Sequence, residues 1–378
     1  MKNHILIAGI ATLMLASCAQ KNQTELTLSG LNPTKFQTVV NDAQTDLYTL
    51  KNKAGMEVCI TNFGGRIVSI MVPDKNGEMK DVVLGFDSIA DYINVPSDFG
   101  ASIGRYANRI NQGKMVLDGD TIQLPKNNFG HCLHGGPKGW QYQVYEANPI
   151  DETTLELTRF SPDGDANFPG NLTAKVLFKL TDDNAIDIKY SATTDKKTVI
   201  NMTNHSYFNL TGEGSGKVLD TYLTIHARDY NPVDEFSIPT GEYAAVEGTP
   251  MDFNKAKKIG QEIEADFQQL KYTGGYDHNY VTDNYAKGSR RTVAVAYNET
   301  SGITMDVISD CPCVQFYAGN FVIDEKGKNG HVYNKREGFC LETQVEPNAV
   351  NVEAFHSPVL EAGEKYQSFT AYKFDVRK

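Results

Sequence analysis

The stretch Arg66-Ile67-Val68-Ser69-Ile70-Met71-Val72 runs directly into Pro73-Asp74-Lys75-Asn76-Gly77. A short run rich in branched apolar residues that stops at a Pro/Asn/Gly cluster is typical of a β-strand ending in a turn. The same pattern recurs along most of the chain, with turn signals between the runs. The other runs are residues 57–62, 81–84, 155–158, 174–180, 185–190, 222–225 and 303–307. Strands of this length and spacing predict an all-β protein, most simply a β-sandwich.

Helical periodicity is confined to two places. Ile259, Ile263, Phe267 and Leu270 recur at intervals of four, four and three residues, which predicts a short amphipathic helix. Residues 88–92 form a second candidate, a single helical turn. Neither a long linker nor a repeat interrupts the strands, so we predict one large domain with one or two short helices.

Composition limits the partners of this protein. The chain has 378 residues, a hydrophobic content of 40% and a formal net charge of −11. This charge argues against nucleic acids and anionic lipid surfaces, which bind basic proteins. A neutral small molecule remains compatible with it.

The N-terminus has the pattern of an export signal. Lys2 precedes an apolar run at residues 5–15, which is too short for a comfortable membrane span. The run ends in Leu15-Ala16-Ser17-Cys18, which resembles a bacterial lipoprotein box, where cleavage precedes a cysteine that becomes lipidated. The alternative is a plain secretory signal in which Cys18 is incidental.

These features predict three segments. Residues 1–17 are the signal peptide, residues 18–37 a polar tether, and residues 38–378 the β-sandwich domain. The mature protein is then attached to a bacterial membrane through lipid on Cys18 and faces the periplasm or the cell exterior. Apart from this lipid anchor, no membrane contact is expected, because the net charge of −11 is unfavourable for binding anionic lipid.

Five cysteines follow Cys18, at positions 59, 132, 311, 313 and 340. An odd number cannot form a complete disulfide framework. Cys311-Pro312-Cys313 has no second cysteine pair that would complete a zinc site. We predict that all five are buried small residues or spare thiols.

Two polar strands carry the candidate chemistry. Residues 201–210, Asn-Met-Thr-Asn-His-Ser-Tyr-Phe-Asn-Leu, place Thr203, His205 and Tyr207 on one face of a strand. Residues 338–344, Gly-Phe-Cys-Leu-Glu-Thr-Gln, place Glu342 in the middle of another. Polar side chains this dense in buried strands need partners, so a binding wall is one interpretation and a hydrogen-bonded core histidine the other. Together, the histidine and the glutamate make a plausible acid–base pair.

A family resemblance links these strands to two further motifs. They are Gly-Arg-Tyr-Ala-Asn-Arg-Ile at residues 104–110 and Leu-His-Gly-Gly at residues 133–136. Together with residues 201–210 and 338–344, these motifs resemble those of the aldose 1-epimerases (galactose mutarotases), and they follow one another in the same order as in that family. The resemblance covers nearly the whole chain after about Thr38. The resemblance implies a galactose mutarotase-like supersandwich, a single large antiparallel β-sandwich. It also implies interconversion of the α and β anomers of free aldoses such as D-glucose and D-galactose.

The resemblance also assigns the two proton carriers. Opening a pyranose ring requires an acid that protonates the ring oxygen and a base that removes the proton from the C1 hydroxyl. In the family the matching histidine is the acid and the matching glutamate the base, which implies these roles for His205 and Glu342. A sugar-binding module without turnover, and an epimerase of phosphorylated sugars, are the competing interpretations.

The sugar-binding residues follow from the same resemblance. They are expected to be Asn108, Arg109, His134, Asp277 and Gln315, with Ser206 and Tyr207 completing the wall beside the acid. Arg105 and His131 are expected to be structural. No cofactor is required by the reaction, and a structural calcium held by scattered oxygens stays open. We expect a monomer.

Overall fold

The computed structural model describes residues 25–377 of the chain. The predicted signal peptide and Cys18 lie outside the described residues. In the described part, short antiparallel strands follow one another with few helical turns between them. The prediction of an all-β fold is confirmed.

The largest sheet has nine strands, each antiparallel to its neighbours. Side chains of Leu172–Leu180 alternate between buried and more exposed positions, as expected when one face of a strand packs on the core. In order across the sheet, its strands are Glu146–Asp151, Thr154–Ser161, Leu172–Leu180, Ala185–Thr194, Lys365–Val376, Ile303–Ser309, Arg291–Tyr297, Tyr222–Ile225 and Lys257–Lys258.

A five-stranded sheet, here called the site sheet, carries Glu342. Its strands in order are Ala244–Ala245, Ala227–Tyr230, Asp277–Thr282, Cys313–Tyr317 and Cys340–Gln344. A four-stranded sheet consists of Leu47–Lys51, Glu57–Thr61, Arg66–Pro73 and Met79–Asp81. Val176 of the nine-stranded sheet, Leu341 of the site sheet and Ile70 of the four-stranded sheet belong to one hydrophobic core. This shared core is what makes the fold a sandwich.

Six two-stranded ladders complete the strands of the described part of the chain. They are Val39–Val40 with Ala43–Gln44, Ala101–Ile103 with Thr203–His205, Arg109–Ile110 with Cys132–Leu133, Lys114–Leu117 with Asp120–Gln123, Thr198–Val199 with Val359–Leu360, and Glu325–Lys326 with Val332–Tyr333. Single 3₁₀ turns occur at Pro33–Phe36, Asn111–Gly113, Trp140–Tyr142, Asp165–Asn167, Val218–Asp220, Lys328–Gly330 and Ala349–Asn351.

Between residues 25 and 377 there are two short α-helices, at Ile89–Asn94 and Gln268–Thr273. The first matches the predicted helical turn, and the Ser88 hydroxyl caps it by accepting a hydrogen bond from the amide of Asp91 at 3.1 Å. Neither helix, within the residues described, is long and apolar enough to cross a membrane.

The helix predicted from Ile259 to Leu270 is wrong in extent. Ile259 and Ile263 are buried in the core, but they lie in turns before the helix begins. The amides of Ile259 and Gly260 donate to the carbonyls of Thr221 and Leu219, so this backbone is bonded to a neighbouring segment. Apolar spacing at three and four residues therefore reflects burial here without a continuous helix.

Packed structure begins earlier than the predicted domain start at residue 38. Leu31 and Phe36 are almost completely buried in a second hydrophobic cluster, and the amide of Leu28 donates to Glu57 Oε1 at 2.7 Å. The end of the predicted tether is thus part of the domain. The five predicted thiols are all free and buried, as expected: Cys59, Cys132, Cys311, Cys313 and Cys340.

Candidate active site

His205 ends the short strand Thr203–His205, where it lies opposite Ala101. Its carbonyl accepts a hydrogen bond from the amide of Gly100 at 3.0 Å. The Tyr207 ring stacks on the His205 ring, with centroids 5.1 Å apart. The side chain of Phe208 points to the opposite side of the strand and packs in the core, where its ring centroid is 4.7 Å from that of Tyr372. The predicted alternation, with His205 and Tyr207 on one face and Phe208 on the other, is confirmed. The regular strand, however, covers only three of the ten residues from 201 to 210.

Glu342 lies in the last strand of the site sheet, paired with Gln315. Its Oε1 is 3.4 Å from His205 Nε2, and the two residues are 2% and 4% exposed. The other oxygen, Oε2, is buried and has no hydrogen-bond partner among residues 25–377. Burial raises the pKa of Glu342 to about 7, although the nearby His205 opposes the rise. The carboxylate is therefore a stronger base than an ordinary one.

His134 sits in a strained turn with a φ of 51°. This turn is in close contact with the segment around Gly104. A Cβ at position 135 would lie 2.4 Å from the carbonyl oxygen of Gly104, so only glycine fits there. His134 Nδ1 accepts a hydrogen bond from the amide of Asn108 at 3.1 Å, so the ring proton is on Nε2. Burial lowers the pKa of His134 to about 3, which keeps the ring neutral. Its ring stands edge-on to the His205 ring at 5.1 Å.

Asn108, in a bend, and Arg109, at the start of the strand Arg109–Ile110, reach the same cavity. Asn108 has a φ of 62°, and its side-chain oxygen accepts from the amide of Arg109 at 2.8 Å. Arg109 Nε donates to Asn128 Oδ1 at 3.1 Å. One edge of the guanidinium is thereby held in place, and its terminal nitrogens are available for ligand hydroxyls.

Asp277 lies in the site sheet opposite Tyr317. Gln315 Nε2 donates to Asp277 Oδ1 at 2.7 Å, so Gln315 contacts the aspartate and does not itself line the cavity. Ser206 does not line the cavity either, contrary to our expectation. Strand alternation turns its side chain away from His205 and Tyr207.

The two residues expected to be structural have structural contacts. Arg105 is buried and donates to the carbonyls of Pro169 and Gly170. His131 Nδ1 accepts from the amide of Gln112 at 2.9 Å. Neither side chain lines the cavity beside His205.

These side chains surround a cavity of about 150 Å³. A cavity of about that volume holds benzene in a protein core, so one six-membered ring fits here. Its lining residues are Asp98, Asn108, Arg109, Asn128, Leu133, His134, His205, Tyr207, Asp277, Tyr317, Phe321 and Glu342. A larger cavity of about 500 Å³, lined in part by Tyr190, Tyr285 and Arg290, contains neither His205 nor Glu342.

Sequence reasoning missed five lining residues: Asp98, Asn128, Leu133, Tyr317 and Phe321. Tyr317 could have been found, because it lies two residues beyond Gln315 in one strand and two-residue spacing returns to the same face. Asp98 belongs to a loop whose position depends on contacts with distant segments. No sequence pattern marked it.

Comparison with known proteins supports what the site geometry indicates. The family model described as Aldose 1-epimerase matches residues 46–373. The chain belongs to the aldose 1-epimerase family. It is 38% identical to human galactose mutarotase over 365 residues, which cover 96% of this chain and 100% of the relative. It is 39% identical to aldose 1-epimerase of Escherichia coli K12, covering 87% of this chain and 94% of the relative.

Solved structures of this family share the fold. An aldose epimerase homologue from C. elegans is 28% identical, with a TM-score of 0.81 and coverage of 88% of this chain and 100% of that chain. Galactose 1-epimerase from Lactobacillus acidophilus NCFM is also 28% identical, with a TM-score of 0.79 and coverage of 90% and 97%. The fold is galactose mutarotase-like, and the protein is an isomerase with aldose mutarotase activity.

Two groups of side chains bring possible metal-binding atoms within 4.8 Å of one another in the described chain. They are Asp98 with His134 and His205, and Cys313 with Glu346 and His356. Both contain nitrogen or sulfur donors, whereas calcium prefers a shell of oxygens. The sequence left a structural calcium open without predicting one. The aldose 1-epimerase reaction itself consists of proton transfers and covalent rearrangement within the sugar.

Proposed function

We propose that His205 and Glu342 are the acid and the base of a mutarotase that acts on free aldoses such as D-galactose and D-glucose. The observation that supports this proposal is the 3.4 Å separation of His205 Nε2 and Glu342 Oε1 beside a cavity sized for one sugar ring. Glu342 takes the proton of the C1 hydroxyl while His205 donates a proton to the ring oxygen. The bond between C1 and the ring oxygen breaks, and C1 becomes the aldehyde carbon.

Ring closure reverses these transfers. The open aldehyde turns about the C1–C2 bond, and the C5 hydroxyl attacks C1 from the opposite face. That hydroxyl returns its proton to His205, and the new C1 oxygen regains a proton from Glu342. Both side chains end in their starting states, so no other reactant is consumed.

The surrounding side chains suit the remaining polar atoms of the sugar. Neutral His134 can donate a hydrogen bond from its Nε2–H to the ring oxygen. Asp277, held by Gln315, accepts from sugar hydroxyls, and Arg109 donates to neighbouring ones. Asn108 and Tyr207 complete the contacts in this proposal.

Unphosphorylated sugars fit the charge of the cavity better than sugar phosphates do. Asp98, Asp277 and Glu342 contribute three carboxyl groups to its lining. Arg109 is the single Lys or Arg side chain among the lining residues, all of which belong to the described part of the chain. A phosphate would carry up to two further negative charges into this site. Galactose is the first substrate to test, because relatives are named galactose mutarotases.

We also propose that the enzyme works outside the cytoplasm as a monomer attached by lipid. The support for the anchor is the basic-then-apolar segment that ends at Cys18. In this position the enzyme would equilibrate the anomers of sugars before anomer-specific uptake.

Polarimetry tests the reaction. Protein lacking residues 1–18 is mixed with freshly dissolved α-D-galactose or α-D-glucose, and rotation is followed against a buffer blank. His205→Ala and Glu342→Gln are each expected to lower the catalysed rate by roughly a hundred- to ten-thousandfold, the usual contribution of a general acid or base. Glu361→Gln, a surface change 59% exposed at the side chain, is the matched control and keeps the wild-type rate.

Binding distinguishes the alternatives. Calorimetry with galactose is expected to show that Glu342→Gln still binds sugar. Saturable binding by the wild type without any acceleration of rotation would support a sugar-binding module. Full activity in Glu342→Gln would reject the assignment of the base.

A further inference from the structure

Asp98 is an unexplained carboxyl group in the active-site cavity. It lines the cavity, and its possible metal-binding oxygen lies within 4.8 Å of nitrogens of His134 and His205. Its Oδ1 is buried and has no hydrogen-bond partner in the described part of the chain. A buried carboxylate oxygen without a donor is costly unless a ligand supplies one.

The loop around Asp98 is tied to the core and to His205. Arg66, which is 0% exposed, donates to the carbonyls of Ser97 at 2.9 Å and Phe99 at 2.8 Å. The backbone carbonyl of Asp98 accepts a hydrogen bond from the amide of Ala101 at 3.0 Å. The amide of Gly100 donates to the carbonyl of His205. Because the backbone on both sides is fixed, Asp98 has a defined position relative to the histidine.

The position of the sugar ring determines which substituent of the sugar lies near the carboxylate of Asp98. The ring position used here rests on the proposed function. The ring oxygen lies beside His134 and His205, and C1 faces Glu342. The ring oxygen is bonded to C1 and C5 alone, so the remaining substituent near the two histidines is the one on C5. In a hexose that substituent is the C6 hydroxymethyl group.

We propose that Asp98 determines specificity at C6 by accepting a hydrogen bond from the 6-hydroxyl group of the aldose. A 6-deoxy sugar leaves the Asp98 oxygen without its partner. A sugar acid with a carboxylate at C6 places a negative charge against Asp98. The enzyme therefore prefers neutral hexoses over both classes.

A second carboxyl group adds to the effect. Burial, with a further contribution from the negative charge of Asp98, raises the pKa of Glu325 to about 7. Its Oε2 is also buried and unpartnered within residues 25–377. Above that pKa both carboxyl groups are ionised, and their negative potential favours a neutral hydroxyl donor over an anion.

The test compares kcat/KM for three sugars that differ at C6: D-galactose, its 6-deoxy analogue D-fucose, and D-galacturonate. For the wild type, D-fucose is expected to be about tenfold poorer than D-galactose, since a hydrogen bond to a charged group contributes roughly that factor or more. Galacturonate is expected to be poorer still. Each rate is measured by polarimetry from freshly dissolved anomers.

Asp98→Asn removes the charge and keeps an acceptor oxygen. It is expected to raise the galacturonate-to-galactose ratio of kcat/KM by about tenfold or more. Asp98→Ala is expected to bring D-fucose within two- or threefold of D-galactose by lowering galactose turnover, since no acceptor remains. Asp118→Asn, which removes an exposed carboxylate paired with Lys197, controls for net charge and leaves all ratios unchanged.

The outcomes separate this inference from the proposed function. Wild-type ratios in both Asp98 variants, or one uniform loss for all three sugars in those variants, would overturn the role at C6. The proposed function would stand in either case, because it is tested by galactose turnover in the wild type. Absence of galactose turnover in the wild type would instead reject the proposed function and the ring position that depends on it. If neither variant folds by circular dichroism, Asp98→Ser, which also removes the charge, repeats the comparison between galacturonate and galactose.

Discussion

His205 Nε2 lies 3.4 Å from Glu342 Oε1, and both groups are nearly excluded from solvent. The histidine comes from a short ladder with Ala101–Ile103, and the glutamate comes from the site sheet. Because water is nearly excluded, the effective dielectric constant around the pair is low, and the charge of each group strongly affects the other. Two of the predictions below follow directly from the burial of Glu342.

The catalysed rate should depend on the ionisation of Glu342. Its pKa is about 7, so the fraction of active base falls as pH drops below 7. We expect kcat/KM for galactose to decrease about tenfold per pH unit on this acid side, as for a single required group. Polarimetry between pH 5 and 8, corrected for buffer catalysis, measures the profile. An acid limb near the ordinary glutamate value would show that burial does not raise the pKa of the catalytic base.

Stability should change with pH in the opposite sense from activity. Burial raises the folded-state pKa of Glu342 above its unfolded value, so its contribution to stability is full below the unfolded pKa and is lost as pH rises through about 7. Glu342→Gln mimics the protonated form. At pH 8 it should raise the free energy of unfolding by up to about 3 kcal/mol, and at pH 4.5 by much less. Urea unfolding at both pH values measures the difference, and equal effects would contradict the prediction.

Gln315 should act through Asp277. Replacing Gln315 by Leu removes the 2.7 Å hydrogen bond that holds the aspartate. We expect KM for galactose to rise about tenfold, with kcat changed by less than threefold, because a charge-assisted bond is lost at a binding residue. Initial-rate polarimetry gives both constants.

Gln344→Leu is the matched control for Gln315→Leu. Gln344 is also a buried amide in the site sheet, but its Nε2 donates to Asn279 Oδ1 at 3.1 Å and it does not line the cavity. Its replacement should leave KM unchanged. The positioning role of Gln315 fails if both variants shift KM equally, or if Gln315→Leu lowers kcat alone.

The predicted anchor can be tested in cells. Cys18→Ala removes the residue that is expected to carry lipid. The variant should move from the membrane fraction to the soluble fraction, as detected by immunoblot after ultracentrifugation. Cys132→Ala, which changes a buried thiol inside the domain, serves as the control and should stay with the membrane. Membrane retention of Cys18→Ala would indicate a different anchor.

Local sequence patterns were sufficient for the class of fold and for the direction of the side chains in the two polar strands. The acid and base roles of His205 and Glu342 rest on the family resemblance and stay a prediction. Two-residue alternation placed His205 with Tyr207 and separated both from Phe208, as the structure shows. The same alternation separated Glu342 from Leu341, whose side chain packs in the core. These results depend on the direction of consecutive side chains in one strand, which sequence determines directly.

Alternation also shows where adjacency in the sequence misleads. It separates Ser206 from the cavity, although we had expected Ser206 to complete the wall because it is next to His205 in the chain. The apolar spacing from Ile259 to Leu270 belongs largely to buried turns, since hydrogen bonds to Leu219 and Thr221 replace those of a helix. Burial of apolar residues was predicted correctly there, and the backbone conformation was not.

The sequence by itself determined an antiparallel β fold with a histidine and a glutamate in polar strands. Tertiary structure alone decided that these two side chains meet at 3.4 Å, and that Asp98 stands beside them. The physical reason is that contacts between distant segments depend on strand register and on how loops are tied to the core. Arg66 holds the loop of Asp98 through two carbonyl groups, an interaction between residues that no local periodicity connects.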